Sequence, residues 1–249
     1  MPTVDPSFRY VWLMWASAFL LPWIALFVAW PRVRRPMLWA SALTAPFGLT
    51  EPFFVPAYWN PPSLFGLAHR TGFDIESLIL CFAIGGLAAA GYRVLAPPAE
   101  RAFVAHDRNS HQHRWHRAAL ASPFFVFGVL LLLPWNPIYP GIAALFAGAL
   151  TSGLCRPDLW RNTLVGGLVF LLLYAIFLLG LKLLWPGYIE AVWNLGDLIA
   201  WRPAGLPLEE LLFGLGFGMY WSSVYEHVTW RQLDALRLRE ITAIGKEAR

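Results

Sequence analysis

Seven apolar runs, each near the length of a membrane span, set the pattern of this chain. They lie at about 10–30, 37–56, 74–95, 118–134, 138–154, 163–185 and 207–228, with polar residues gathered between them. Crossing the hydrocarbon layer takes roughly 20 apolar residues of helix. Apolar runs this long, without period-2 alternation, read as helices and not as strands. The expected fold class is therefore all-α: a polytopic membrane protein of about seven transmembrane helices.

Composition agrees. Hydrophobic residues make up 58% of the 249 and charged residues only 14%, against about 45–50% and about 25% in soluble domains. The net charge of +4 is spread as punctuation between apolar runs, so nucleic acid is not an expected partner. Most of the basic residues fall on one side if the N-terminus is outside: Arg32, Arg34 and Arg35, then Arg93 to Arg117, Arg156 and Arg161, and Arg231 to Arg249. Only Arg9, Arg70, Lys182 and Arg202 are left over. This bias predicts an inner-membrane, multi-pass protein with its C-terminus cytoplasmic. The first run is too long for a cleavable signal, and its positive cluster follows it. Trp and Tyr at the proposed interfaces (Tyr58, Trp59, Trp135, Trp185, Tyr188) read as aromatic belts.

The chain also repeats. Arg35-Pro36-Met37-Leu38-Trp39 is matched by Arg156-Pro157-Asp158-Leu159-Trp160, and Trp59-Asn60 by Trp193-Asn194. Gly72-Phe73-Asp74-Ile75-Glu76-Ser77-Leu78 is matched by Gly205-Leu206-Pro207-Leu208-Glu209-Glu210-Leu211, and Tyr92 by Tyr225. The organisation expected is a first three-helix repeat at 1–95, an inner basic loop and linking helix at 96–137, a second three-helix repeat at 138–230 and an inner-face tail at 231–249, read as a short amphipathic helix. Parallel repeats of this kind enclose a site between the halves.

Acidic residues are the sharpest chemical signal, because a charge at the bilayer centre costs about 2.5–3.5 kcal/mol on insertion scales. Asp74 and Glu76 open the third run, and Glu209 and Glu210 open the seventh. Glu51 and Glu190 are further acids near these motifs. The competing reading is helix capping, since acids at a helix N-terminus gain about 0.3–1 kcal/mol from the dipole. The second signal is aromatic: 14 Trp, 18 Phe and 8 Tyr, with Trp59, Trp193, Phe213, Tyr220 and Trp221 gathered around the repeated motifs. Their faces can stabilise a cation and pack against a polyene.

Other chemistries find no motif. No dinucleotide, P-loop or nucleophile-elbow pattern occurs, and the last run has no lysine for a retinal Schiff base; no cofactor is expected. Cys81 and Cys155 show no zinc spacing and read as small buried hydrophobes. The histidine-rich segment from His106 to His116 reads as a basic contact with lipid headgroups, not as a metal site.

Pro207-Leu208-Glu209-Glu210-Leu211-Leu212-Phe213 is similar to the P-x-E-E-x-x-F signature of the membrane-integral, non-flavin lycopene cyclases. The upstream Trp-Asn, the duplication and the length resemble the fused form of that family, from about Arg35 to Glu226. In the first half Asp74-Ile75-Glu76-Ser77 stands in place of Pro-x-Glu-Glu, and Leu80 in place of Phe. The resemblance implies a redox-neutral, acid-catalysed closure of an ionone ring on a linear polyene, without cofactor. Glu209 would be the proton donor, with Glu210 beside it, Glu76 its repeat partner, and Asp74 an assisting base or hydrogen-bond partner. Trp59, Trp193, Phe213, Tyr220 and Trp221 would shield the cation, Asn60 and Asn194 would orient carboxyls, and Glu51 would line the substrate site. Other activities on the same scaffold are a carotenoid hydratase or isomerase, and a non-enzymatic transporter or scaffold is the alternative of another class. Membrane lipid and a polyene are the expected partners, and a homo-oligomer is compatible with the pattern.

Overall fold

The computed structural model describes residues 6–96, 99–102 and 113–234. Helices dominate: α1 (Val11–Ala18), α2 (Leu20–Ala29), α3 (Arg34–Thr44), α4 (Glu51–Phe54), α5 (Leu67–Thr71), α6 (Ile75–Leu95), α7 (His116–Leu130), α8 (Ile138–Cys155), α9 (Trp160–Leu184), α10 (Tyr188–Val192) and α11 (Leu208–Thr229). Among the described residues, four helical stretches are long and apolar enough to cross a membrane: Pro6–Ala29, Ile75–Leu95, Ile138–Cys155 and Pro157–Leu184. The expected all-α membrane fold is thus what the chain adopts. A two-stranded ribbon, β1 (Ala99–Ala102) antiparallel to β2 (Arg231–Asp234), is the one addition among these residues.

Prolines decide where the helices break. The first apolar run is interrupted at Phe19, because Pro22 has no N–H for the Ala18 carbonyl. The second run, expected as one span over 37–56, is divided: α3 passes into a 3-10 stretch, Ala45–Thr50, and then into the single turn of α4. Pro46 and Pro52 remove amides from the ladder at both changes. Gly48 belongs to that stretch for a second reason. A Cβ there would stand 2.6 Å from the Leu78 amide nitrogen, so only glycine lets the backbone lie against α6.

Two pairs of helices pack through small residues. α3 lies on α6, where Gly85 and Gly86 face Thr44 and Trp23, and the Trp23 indole donates to Ser41 Oγ at 3.0 Å. α9 lies on α11 through Gly166, Gly167 and Gly218. One sequence match shifts in register. Pro157 opens a 3-10 turn before α9, and its local counterpart is Pro31 before α3; Pro36 lies inside α3. Trp30 and Arg156, which precede those prolines, share nearly the same backbone angles. α7 packs on α8, where Ser122 Oγ and Thr151 Oγ1 lie 2.7 Å apart.

At the α9–α11 contact the two backbones come close. A Cβ on Gly218 would lie 3.0 Å from Gly167 Cα and 3.1 Å from the Gly166 carbonyl oxygen, both backbone atoms that cannot rotate away. Overpacking of this kind costs about 1–3 kcal/mol. Gly218→Ala is expected to lower the thermal midpoint of the detergent-solubilised protein, whereas Gly128→Ala, where a Cβ would meet nothing within 4 Å, leaves it in place.

Two loops clasp each other at one end of the bundle. Trp59 and Trp193 form an antiparallel bridge, with the Asn60 amide donating to the Val192 carbonyl (2.8 Å) and the Asn194 amide to the Tyr58 carbonyl (3.0 Å). The starts of α6 and α11 lie beside this clasp. At the other end, Trp230 ends α11 in the left-handed conformation (φ 52°, ψ 45°) and turns the chain into β2. Residues 231–234, expected within an amphipathic helix, are therefore a strand. The rest of the expected tail lies outside the described residues.

Candidate active site

Glu210 is the centre of the clasp end. Its Oε1 accepts from the Tyr58 hydroxyl (2.5 Å) and the Trp193 indole N–H (2.8 Å), and its Oε2 accepts from the Tyr174 hydroxyl (2.6 Å). These three donors come from the loop after α4, from the middle of α9 and from the loop after α10. All are buried, as is Glu210. In all three bonds Glu210 is the acceptor. Burial, and next the neighbouring Glu210 carboxyl, push the Tyr58 hydroxyl well above its ordinary value, so it remains a donor.

Aromatic rings surround this carboxyl. Trp59 meets Trp193 with centroids 5.3 Å apart, and Trp12 stands edge-on to Trp59 at 4.6 Å. Tyr174 is in ring contact with Phe213, Phe170 and Phe19. Of the expected aromatic shield, Trp59, Trp193 and Phe213 lie here. Tyr220 and Trp221 lie further along α11: the Tyr220 hydroxyl is spent on the Leu120 carbonyl (2.7 Å), and Trp221 packs on Phe217 and Phe47.

Glu76 and Glu209 flank the centre in parallel ways. Glu76 Oε1 accepts from the Leu64 amide (2.6 Å), and Glu209 Oε1 from the Ile199 amide (2.8 Å) and the Tyr139 hydroxyl (2.8 Å). In each the second oxygen, Oε2, is buried without a hydrogen-bond partner. Both side chains are almost fully enclosed. Asp74 is the N-cap of α6: its Oδ1 accepts from the Ser77 amide (2.5 Å), and its buried Oδ2 has no partner. Such a cap is worth about 1 kcal/mol, so the capping reading holds for Asp74 and fails for Glu210, whose bonds all go to side chains. Glu51, buried in α4, lies beside Asp74, Ser77 and Trp59. Tyr188 is enclosed near Asp74 and Glu76, and burial followed by those charges raises its hydroxyl above its ordinary value.

The asparagines have a different job from the one expected. Asn194 Nδ2 donates to the carbonyls of Pro56 (2.6 Å) and Ala57 (3.0 Å), so it fastens the two loops instead of orienting a carboxyl. Asn60 joins the clasp through its backbone, and its Oδ1 is buried without a partner. Glu190 is exposed on α10, away from the buried acids.

Tyr58, Tyr174 and Tyr139, whose hydroxyls hold Glu210 and Glu209, are not among the residues the sequence singles out for chemistry; Tyr58 reads there as an interface aromatic. Tyr174 offered one signal: a single hydroxyl within the Leu-rich run of α9 has to find a partner inside the bundle. At the opposite end, Cys155 is not an isolated small hydrophobe. Its Sγ stands 3.7 Å from His113 Nδ1 and 3.5 Å from His116 Nδ1. His106 and His111 lie outside the described residues.

Residues 136–228 match the family model described as lycopene cyclase. The matched stretch holds α8 to α11, and with them Tyr139, Tyr174, Trp193, Glu209 and Glu210. No curated protein and no solved structure matches the chain.

Proposed function

With residues 136–228 placed in the lycopene cyclase family, we propose that this membrane protein closes an ionone-type ring on a linear carotenoid by proton-initiated, redox-neutral cyclisation. The observation that supports this most is Glu210: a buried acceptor held by three side-chain donors and walled by aromatic rings. That arrangement suits a positive charge held next to apolar surface.

Two roles divide among the acids. Glu209, and Glu76 in the equivalent place, have one oxygen held by a loop amide and one oxygen bare. A carboxyl held in this way can present an O–H to an alkene while its other oxygen stays fixed. The O–H bond breaks, the proton joins the less substituted carbon of the terminal alkene, and a tertiary cation forms. A second double bond of the chain donates its π pair to that cation, making the ring bond and moving the charge one step on. Loss of a ring C–H proton to a carboxylate then restores a double bond, and the mass of the product equals that of the substrate. Glu210 balances the charge throughout, with Trp193 bonded to it, Trp59 in ring contact with Trp193, and Phe213 in ring contact with Tyr174. The two halves act as copies of one unit, which gives each its own flanking acid.

Expression in lycopene-accumulating cells tests the proposal. The parent chain is expected to give cyclic carotenoid of unchanged mass, and Glu209→Gln is expected to lower product by about 100-fold or more at equal protein level in the membrane. A product heavier by one water identifies a hydratase instead. Linear lycopene alone, with the protein folded in the membrane, removes lycopene as the substrate.

A further inference from the structure

From the far end of the bundle we infer that His113, His116 and Cys155 form a binding site for a thiophilic metal ion of the zinc class. The three ligand atoms, His113 Nδ1, His116 Nδ1 and Cys155 Sγ, all lie within 4.8 Å of one another. Tetrahedral zinc holds imidazole nitrogen at about 2.0–2.1 Å and thiolate sulfur at about 2.3 Å, which sets sulfur and nitrogen about 3.6 Å apart. The two sulfur–nitrogen distances are 3.7 and 3.5 Å. These edges of the tetrahedron are already formed.

The surroundings fit a metal ligand set. His116 Nε2 lies 3.1 Å from the carbonyl oxygen of His227, so it carries the ring hydrogen and leaves the Nδ1 lone pair on the Cys155 side. A backbone carbonyl on the remote nitrogen is the usual support of a metal-bound histidine. The Trp230 ring stacks on His116 at 4.0 Å and stands edge-on to His113 at 5.4 Å, while His227 stacks on His116 at 5.0 Å. His116 and Cys155 are buried and His113 is half-buried. The cation next along the chain, Arg156, is engaged by Asp158 at 2.8 and 2.7 Å, which offsets its repulsion of an incoming ion. Two imidazoles and one thiolate suit zinc, and they are the ligands that the described residues supply.

The ion would tie the start of α7 to the end of α8 and, through the His227 carbonyl, to the end of α11. Seventeen residues of α11 separate Glu210 from His227, about 26 Å of helix. The site is therefore independent of the carboxyl cluster, and its fate does not decide the cyclisation proposal.

The test uses the full chain, purified in detergent with an affinity tag that contains no histidine, stripped with chelator and titrated with cobalt(II). One equivalent is expected to bind with a thiolate-to-cobalt charge-transfer band, to be displaced by zinc, and to raise the thermal midpoint. Cys81→Ala is expected to keep the band, Cys155→Ala to remove it, and His113→Ala to weaken binding by about 10-fold or more. A parent chain that gives no such band overturns the inference and leaves a thiol hydrogen-bonded to two imidazoles. A band that persists in Cys155→Ala overturns it as well. The cobalt spectrum of the parent decides the matter even if a variant fails to fold.

Discussion

Glu210→Gln is expected to stop ring closure, lowering cyclic product per molecule of folded protein by about 100-fold or more, the scale of losing one preorganised electrostatic partner. The substitution keeps the shape of the side chain and changes only what its atoms can accept. Tyr58 and the Trp193 indole both donate to Oε1, and Tyr174 donates to Oε2. An amide offers one acceptor oxygen, so an NH₂ group must face at least one of these donors. Tyr174 can rotate its hydroxyl and accept instead, but the indole N–H cannot, so the amide oxygen stays with Trp193 and Tyr58. The variant therefore folds at a cost of about 1–3 kcal/mol, and what it loses is the negative charge beside the reacting polyene. Tyr174→Phe removes one donor and keeps that charge, and a loss of only about 10-fold is expected for it. Carotenoid extracted from equal amounts of membrane-inserted protein provides the measurement. A Gln variant that cyclises within a few-fold of the parent would show that charge at Glu210 plays no part.

The helices were legible because lipid imposes a one-residue-at-a-time rule: each side chain over a long run must be apolar, whatever its distant partner. Hence the limits of α6, α8, α9 and α11 fall close to the runs read from the sequence. The rule weakens where proline intervenes. Pro46 and Pro52 were visible, but a membrane helix can absorb a proline if its neighbours satisfy the freed groups. Whether the second run bends or divides depends on Gly48 seating against Leu78, a contact no local pattern contains. The acids at the starts of α6 and α11 were legible for the same reason as the helices, since each is an exception to the apolar rule. Their functions were not. Asp74 and Glu210 occupy the same kind of position, yet one caps a helix and the other gathers Tyr58, Tyr174 and Trp193 from three separate segments. The chemistry of an acid depends on which donors reach it. Two of those donors are set by the clasp of two loops far apart in the chain, and the third comes from the middle of α9. The meeting of Cys155 with His113 and His116 was hidden in the same way: their spacing carries no signature, and only the packing of α7 on α8 joins them.

The second large effect concerns stability, and it arises from an acid that breaks a local rule. Glu226 lies in the last turn of α11 and is fully buried, where the helix dipole disfavours a negative charge. Arg93, in the last turn of α6, answers it with Nε at 3.0 Å and an Nη at 2.6 Å from Glu226 Oε1, and its guanidinium lies over the Tyr225 ring at 5.4 Å. Arg93 and Glu226 each directly follow the tyrosines of the sequence match, Tyr92 and Tyr225. Removing one partner of such a buried pair costs about 3–5 kcal/mol. Arg93→Met and Glu226→Met are each expected to lower the thermal midpoint sharply and reduce the folded fraction in membranes. The double variant should recover most of the loss, because apolar groups of similar volume can replace a whole buried pair at little cost. Thermal unfolding in detergent across the four proteins gives the coupling directly; single-variant losses that simply add in the double would mean the pair contributes nothing as a pair. Sixteen residues of α11, about 24 Å, separate Glu226 from Glu210, so cyclic product per folded molecule should be the same in all four. On the proposed mechanism, stability and catalysis divide between the two ends of one helix: a charge held by an arginine at its end, and a carboxyl held by two phenols and an indole at its beginning.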